Sequence, residues 1–288
     1  MNFLKNIKEI VYLGPEGTYS QIAANGIVQK YGLSGIPCTF RTSIKSIIDY
    51  ADVNEDILAV VPIENSIEGI VRETIDNLTL VKNKKLKICA EYVIPIDHCL
   101  LAKKNIPKNE IKTILSHTQP LAQCRNYIYK NLNSDINIIE TNSSAAAAKS
   151  LLTSADDCAA IANSLAAKLY GLCILDDKIN DNNDNRTRFV VLSKYPTQPT
   201  NNDKTSIVFS TVNTAGALCN VLNIFKKYNI NLSYIDSRPS RKNLKEYNFY
   251  IDFDGHIENE TVKIAISEIF EYTTFFRHNG SYQKDDTL

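Results

Sequence analysis

The segment Asn185–Phe189 carries the residue types best suited to chemistry in this 288-residue chain. It ends a polar loop rich in Asp and Asn and opens an apolar run to Leu192, which predicts a buried strand. Side chains at such a loop tip can reach a ligand from a rigid base. Thr187 offers a hydroxyl that can donate a proton, and Arg188 offers a guanidinium that can hold a carboxylate. Alone, the segment also fits a capping threonine and solvated arginines before a strand, so its meaning depends on the other motifs.

A second polar group follows another apolar run. Leu58–Ile63 predicts a buried strand, and Glu64, Asn65 and Ser66 come directly after it. In open α/β sheets, ligands bind outside the carboxyl ends of the strands. A carboxylate, an amide and a hydroxyl are therefore expected together at a ligand-binding edge.

Two predicted helix starts could each bind an anion. Gly14–Ser20 links a predicted strand to a predicted helix, and Thr141–Ser144 precedes a run of alanines, which is a strong N-cap signal. The free N–H groups of a helix N-terminus suit a carboxylate. A plain glycine turn and a plain capped helix explain these two motifs equally well.

The elements around these motifs alternate between strand and helix, which predicts an α/β fold with a mostly parallel sheet and helices on both faces. The alternation from Gly14 to Leu192 is long for one such unit. A basic, hinge-like stretch at Lys82–Lys87 and a return near Asn180 suggest two lobes joined by two crossings. The cleft between the lobes is then the natural ligand site.

A Pro/Asn-rich linker at Tyr195–Lys204 is the best domain boundary. Beyond it, Ser206–Val212 predicts a strand, and the helix predicted at Gly216–Tyr228 has one apolar face. Two strands, a second helix near Val262 and a last strand follow. The resulting order, βαββαβ, is typical of a ferredoxin-like domain.

Composition argues against several classes of protein. The net charge is zero and no basic stripe is visible, which argues against a nucleic-acid partner. The seven cysteines are scattered without a C-x-x-C pair, and the four histidines show no ligand spacing, so neither a disulfide framework nor a zinc site is expected. No apolar run approaches the roughly 20 residues that span a bilayer, and no signal peptide is recognisable. We therefore expect a soluble, cytoplasmic protein that does not bind membranes.

Taken together, the motifs resemble prephenate dehydratase with a C-terminal ACT domain. The segments that carry the resemblance, in chain order, are Gly14–Ser20, Pro62–Ser66 with Gly69, Ser116–His117 with Leu121, Gln123 and Cys124, Thr187–Phe189, Gly216–Leu218, Ser237–Pro239 and Gly280–Tyr282. The resemblance implies a two-lobed catalytic domain (residues 1–195) of the periplasmic-binding-protein type with an interlobe cleft, and a ferredoxin-like ACT domain. The first lobe would comprise about residues 1–85 and 180–195, the second about 86–179, and the ACT domain 204–282.

The resemblance implies conversion of prephenate to phenylpyruvate with loss of water and CO2, without a metal or an organic cofactor. Because hydroxide must leave, a proton donor is needed, and Thr187 matches the family's threonine. An alcohol is a poor acid, so Thr187 would act through a strong hydrogen bond or a relay, and Glu64 is the alternative acid. Arg188 would hold the pyruvyl carboxylate, because the ring carboxylate loses its charge as CO2 departs. Phe189 would form an apolar wall that keeps water out.

Other positions match residues of the family's site. Those expected to orient the substrate for catalysis are Asn65, Ser116 and Gln123, and those expected to contact it are Ser66, Thr141, Asn142 and Ser143, with Glu140 behind them.

The ACT resemblance implies a sensor that binds L-phenylalanine between paired domains, and hence a homodimer or homotetramer. A ferredoxin-like domain that only dimerises is the alternative. The chain departs from the family's usual pattern at Thr118, Pro120 and Asp236, and the last departure bears on the identity of the effector. The residues expected to contact the effector are Gly216, Ala217, Leu218, Asn231, Leu232, Ser237 and Arg238.

Three other functions remain open at this point. Arogenate dehydratase performs the same chemistry on an amino-acid side chain, so only kinetics with both substrates separates it from prephenate dehydratase. A two-lobed binding protein without catalysis is a second alternative, and a pure amino-acid sensor that has lost its activity is a third.

Overall fold

The computed structural model describes residues 4, 6–81, 85–240 and 246–285. The predicted basic stretch at Lys82–Lys87 lies partly outside these residues. In chain order the elements are β1 (Glu9–Leu13), α1 (Tyr19–Tyr31), β2 (Cys38–Arg41), α2 (Ile44–Val53), β3 (Ile57–Asn65), β4 (Gly69–Ile70), α3 (Arg72–Leu80), β5 (Lys87–Pro95), β6 (Cys99–Ala102), β7 (Thr113–Ser116), α4 (Thr118–Gln123), α5 (Arg125–Asn131), β8 (Asn137–Glu140), α6 (Ser144–Ser150), β9 (Cys158–Ala162), α7 (Ser164–Tyr170), β10 (Cys173–Asp176), β11 (Arg186–Ser193), β12 (Asp203–Ser210), α8 (Ala217–Lys227), β13 (Leu232–Pro239), β14 (Tyr247–Asp254), α9 (Glu260–Phe270) and β15 (Phe275–Gln283).

The first lobe is built on a sheet with the strand order β2-β1-β3-β11-β5, and β4 pairs with β3. Helix α1 covers one face, where Tyr12, Ile27 and Phe189 share a core. Helices α2 and α3 cover the other face, where Ile47 and Val190 share a second core. Alternate residues of a strand point to opposite faces, so β11 contributes to both cores.

The expectation of a mostly parallel sheet is wrong for the first lobe. Strands β1, β2 and β3 are parallel, but β11 runs antiparallel to both β3 and β5. The reason is that β11 comes after the second lobe in the chain. It returns from that lobe and lies between β3 and β5, which both precede the lobe.

The second lobe has a sheet with the order β10-β6-β9-β7-β8, which is also mixed. The chain enters this lobe between Pro95 and Cys99 and leaves it between Asp176 and Arg186. The predicted boundary near residue 85 is therefore wrong, because β5 pairs with β11 in the first sheet. The two strands on either side of the crossing are both buried, so the sequence shows one continuous apolar run where the chain changes lobe.

The C-terminal domain has the antiparallel strand order β13-β14-β12-β15, with helices α8 and α9 on one face. This is the ferredoxin-like arrangement that the sequence predicts. Ile207 and Phe209 of β12 face the helices, whereas Val208 between them, with Tyr250 and Tyr282, joins the core of the first lobe. The C-terminal sheet is therefore docked on the first lobe through a shared apolar core. No helix in the described part of the chain is both long enough and apolar enough to span a bilayer.

At Gly280 the backbone of the C-terminal domain lies against the backbone of the first lobe. A Cβ atom built there would lie 2.1 Å from the carbonyl oxygen of Ile88 on β5, which no backbone tolerates. Gly280→Ala is expected to lower the free energy of unfolding by about 1–3 kcal/mol, the usual cost of overpacking. Urea denaturation measures this effect. Gly35→Ala is the control, because Gly35 also has a positive φ but no neighbour within 4 Å; equal losses in the two variants would contradict the steric explanation.

Candidate active site

Thr187 lies opposite Asn65 in the ladder between β11 and β3. Asn65 Nδ2 donates to Thr187 Oγ1 at 2.9 Å. Asn65 Oδ1 accepts from the backbone N–H groups of Ile67 (3.0 Å) and Glu68 (2.9 Å), and these two donors determine which way the amide points. The Thr187 oxygen is therefore an acceptor in this contact, and its own O–H is available to donate to a ligand.

The hydrogen bonds continue from Asn65 across the gap between the lobes. Asn65 Nδ2 also donates to Asn185 Oδ1 at 2.8 Å, and Asn185 Nδ2 donates to Gln123 Oε1 at 2.9 Å. Gln123 is the last residue of α4 in the second lobe. The structure thus brings together Asn65, Gln123 and Thr187, three residues that the sequence predicts for one site.

His98 and Tyr19 complete this set. Sequence patterns assign neither of them to the site, although Tyr19 lies within the Gly14–Ser20 motif. His98 lies at the first crossing, with Nε2 3.0 Å from Gln123 Oε1 and Nδ1 2.9 Å from the hydroxyl of Tyr19. We call Tyr19, Asn65, His98, Gln123 and Asn185 the interlobe network. Burial lowers the pKa of His98, although its hydrogen bond to Gln123 opposes the shift, and burial raises the pKa of Tyr19 well above its ordinary value. Both side chains are therefore neutral near pH 7, so one ring nitrogen of His98 donates and the other accepts.

The Gly14–Ser20 turn also contacts the second lobe. Asn163 Nδ2 donates to the carbonyl of Gly17 at 2.8 Å, and its Oδ1 caps α7 by accepting from Ala166 N. A Cβ atom on Gly17 would lie only 3.4 Å from Ala166, so the turn packs closely on the start of this helix. Thr18 caps α1. The turn therefore places the N-terminus of the 13-residue helix α1 at the border between the lobes.

The predicted hydroxyl residues of the second lobe have structural partners. Ser116 is fully buried and donates to the carbonyl of Ile161 at 2.7 Å. Thr141 donates to the carbonyl of Ser143, and Ser143 caps α6. Asn142 is exposed. Contacts of these residues with a substrate stay predictions.

Ser66, on the first lobe, is exposed, and its hydroxyl accepts from the backbone N–H of Arg186 at 3.0 Å. This bond ties the end of β3 to the start of β11. Contact between Ser66 and a substrate also stays a prediction.

The expectation that Arg188 binds a substrate carboxylate is wrong for this structure. Thr187 points to the α1 face of the sheet, so Arg188, one residue later, points to the opposite face. Its guanidinium is buried there and bonded to carboxylates, including Asp252 of the C-terminal domain at 3.0 Å. Glu64 lies opposite Arg188 in the ladder and accepts from it at 3.0 Å. Glu64 is therefore an ion-pair partner behind the sheet and not an acid in the cleft.

Phe189 is a core residue and does not line the cleft. It is 2% exposed and packs with residues of β1, β3 and α1. The apolar run that follows Thr187 therefore serves the core of the first lobe.

The residues expected to bind an effector fall into two groups within one chain. Ala217 and Leu218 line a cavity of about 110 Å3 together with Tyr247 and Phe249, and Gly216 begins the helix beside it. Asn231 and Leu232 follow the far end of α8, an 11-residue helix about 16 Å long. One copy of the domain therefore cannot bring both groups to one ligand.

The Ser237–Arg238 pair differs from the expectation in part. Strand β13 pairs with β14 so that Ser237 and Arg238 lie opposite Phe249 and Asn248, near the cavity end of the sheet. The Arg238 guanidinium, however, is directed to Asp76 of α3, with Nη2 3.5 Å from Oδ2. Arg238 thus contacts the first lobe in this structure.

The fold is that of a two-lobed cleft protein, with the hydrogen-bonded Thr187 hydroxyl between the lobes and a ferredoxin-like domain docked on the first lobe. The family model for prephenate dehydratase matches residues 10–197. The chain belongs to the prephenate dehydratase family.

Individual relatives resemble the chain along nearly its whole length. The prephenate dehydratase of Methanocaldococcus jannaschii is 39% identical over 96% of this chain and 98% of its own. The bifunctional chorismate mutase/prephenate dehydratase of Aquifex aeolicus is 39% identical over 97% of this chain and 74% of its own. A crystal structure of prephenate dehydratase from Arthrobacter aurescens in complex with L-Phe has a TM-score of 0.87 at 32% identity, covering 97% of this chain and 91% of the other.

Proposed function

We propose that this protein converts prephenate to phenylpyruvate and that Thr187 assists the departure of the ring hydroxyl. The observation that carries the proposal is the direction of the Asn65–Thr187 hydrogen bond, which leaves the Thr187 proton available to a ligand between the lobes. Family membership supplies the reaction, and this contact supplies the group that the reaction needs.

The reaction balances with one proton taken up. The ring carboxylate leaves as CO2, and the electron pair of the broken carbon–carbon bond enters the ring. The hydroxyl on the opposite ring carbon leaves with the proton of Thr187 as water, and Thr187 regains a proton from solvent. Donation from Asn65 to the threonine oxygen stabilises the negative charge that develops there during the transfer.

The carboxylates of the substrate need donors other than Arg188, which lies behind the sheet. We propose that backbone N–H groups at the start of α1 bind one carboxylate, since a helix N-terminus favours negative charge. Thr141, Asn142 and Ser143 contribute polar contacts from the second lobe in this proposal.

L-phenylalanine is the proposed effector, and its site requires a second copy of the chain. The cavity beside Ala217 and Leu218 supplies half of the site, and Asn231 and Leu232 of the other copy supply the rest, which gives a homodimer or homotetramer. Sedimentation equilibrium with and without phenylalanine tests this; a monomer under both conditions would refute it.

A cytoplasmic location is proposed because all seven cysteines are free, as a reducing compartment would leave them.

The direct test is formation of phenylpyruvate from prephenate, followed by its ultraviolet absorbance in base. Arogenate is assayed in parallel, and both assays are repeated with phenylalanine. Turnover of prephenate that falls with phenylalanine supports both halves of the proposal. Turnover of arogenate alone would replace the substrate, and turnover of neither would overturn the assignment.

Asn65→Asp tests the orientation of the Thr187 hydroxyl. The substituted carboxylate can only accept, so it would take the threonine proton that the substrate needs. A hydrogen bond to a charged group is worth about 1.5–3 kcal/mol, so kcat should fall about ten- to a hundredfold. Steady-state kinetics measures the change. Asn77→Asp is the control, because Asn77 is partly exposed on α3 and its side chain donates to the carbonyl of Glu73; an unchanged kcat in Asn65→Asp would remove the argument from orientation.

A further inference from the structure

Arg188 joins the catalytic lobe to the C-terminal domain through four partners. Nε donates to Glu64 at 3.0 Å and Nη2 donates to Asp252 at 3.0 Å, while Nη1 lies 3.3 Å from Glu91 and 3.5 Å from the Tyr282 hydroxyl. Glu64 and Glu91 belong to the first lobe, and Asp252 and Tyr282 belong to β14 and β15. We call these five residues the Arg188 cluster.

Three carboxylates of the cluster surround one guanidinium, and all of its side chains except that of Glu64, which is 38% exposed, are buried. Glu91 also accepts from Lys204 Nζ at 2.9 and 3.1 Å and from the backbone N–H of Asp285 at 3.1 Å. Burial opposes the charge on Arg188, but Tyr282, Asp252 and Glu91 raise its pKa above the ordinary value. The Arg188–Asp252 pair, in which both side chains are buried, is costly to break on one side only. Arg188 must therefore follow Asp252 if the C-terminal domain moves.

The cluster lies directly behind the catalytic threonine. Thr187 and Arg188 are consecutive on β11, and each pairs with a neighbour on β3, Thr187 with Asn65 on the cleft face and Arg188 with Glu64 on the other face. A displacement of the guanidinium therefore acts on the backbone that carries the Thr187 hydroxyl. A cavity of about 290 Å3, lined by Arg188, Glu64 and Asp252, gives these side chains room for a second arrangement.

We propose that Arg188 is a positioning residue through which the C-terminal domain controls Thr187. Asp252 and Tyr282 hold the guanidinium, the guanidinium holds the end of β3 through Glu64, and this arrangement keeps Asn65 and Thr187 in contact. An effector that changes the docking of the C-terminal domain alters the hold on Arg188 and thus the placement of the hydroxyl. The proposal rests on the proposed function for the chemistry that Thr187 performs.

A purely structural role for the cluster makes a different prediction. The C-terminal sheet already docks through apolar residues such as Val208 and Tyr250. If the cluster only adds to this docking, loss of the Asp252 charge would lower stability and leave catalysis and inhibition unchanged.

Asp252→Asn tests the coupling in the full-length protein. The amide keeps the shape of the side chain and loses its charge, so kcat for prephenate should fall about three- to tenfold with little change in KM, because the positioning of the hydroxyl is lost and substrate binding is not. The concentration of phenylalanine that gives half-inhibition should shift at least about fivefold, within the usual range of allosteric coupling. Glu268→Gln is the matched control. Glu268 pairs with Lys227 on the helical face of the same domain, away from the first lobe, and its loss should change neither quantity.

A second readout does not depend on turnover. Hydrogen exchange of the amides of residues 186–193 should change when phenylalanine binds the wild-type protein and the Glu268→Gln variant, and should not change in Asp252→Asn. Absence of turnover in the wild type would refute the proposed function while this exchange test still decides the coupling. Asp252→Asn with wild-type kcat, inhibition and exchange would overturn the coupling, as would phenylalanine that leaves the exchange of this segment unchanged in the wild type.

Discussion

Replacing Thr187 with valine is expected to lower kcat for prephenate by about 10²–10⁴-fold, the usual contribution of a positioned proton donor. Valine keeps the β-branched shape that suits strand β11 but has no hydroxyl to donate. The hydrogen bonds within the interlobe network remain, since among the residues that the structure describes Thr187 Oγ1 has one side-chain partner, Asn65. KM should therefore change little, and steady-state kinetics on the purified variant checks both parameters.

The matched control is Thr187→Ser, which keeps the hydroxyl and should retain most of the activity. Far-ultraviolet circular dichroism of the valine variant excludes misfolding as the cause of a loss. If Thr187→Val turned over prephenate at the wild-type rate, the proton would have to come from another group, and the proposed mechanism would fail.

The pairing of Asn65 with Thr187 shows what a sequence can reveal about a site. Both residues stand at strand ends with polar neighbours, and that pattern predicts a ligand-binding edge without any knowledge of register. Their contact depends on β11 lying beside β3, which follows from the return crossing of the chain. Membership of the family and the two-lobed α/β fold with a ferredoxin-like domain are confirmed.

The error over Arg188 has a simple geometric cause. The sequence pattern predicts a loop tip, where neighbouring side chains can reach the same ligand, but β11 already begins at Arg186. In a strand, consecutive side chains point to opposite faces, so Thr187 and Arg188 cannot both face the cleft. Glu64 and Asn65 on β3 are separated in the same way.

His98 could not be assigned from sequence because its partners are distant along the chain. Gln123 and Tyr19 approach it only after the two lobes have formed. The one available signal was a histidine inside a long apolar run, which a buried core residue would also give. The same run concealed the crossing between the lobes, since β5 and β6 are both buried.

Arg188→Met is expected to lower the free energy of unfolding by about 3–5 kcal/mol, the usual cost of removing one partner of a buried ion pair. Methionine fills much of the same volume, but Asp252 and Glu64 lose their cation. Glu91 is less affected because it keeps Lys204. Urea denaturation measures the loss. Arg186→Met is the control, because Arg186 is exposed on the same strand, and a substitution there should change stability by no more than about 0.5 kcal/mol.

The double variant Arg188→Met/Asp252→Asn separates the two parts of this loss. Removing both charges leaves fewer unpaired groups than removing Arg188 alone, so the combined loss should be smaller than the sum of the single losses.

Kinetics distinguishes the roles of Arg188. If the guanidinium positions Thr187 from behind the sheet, Arg188→Met lowers kcat and leaves KM nearly unchanged, whereas a residue that binds a substrate carboxylate would raise KM strongly. A large rise in KM with strictly additive stabilities would return Arg188 to the cleft and contradict the arrangement of β11.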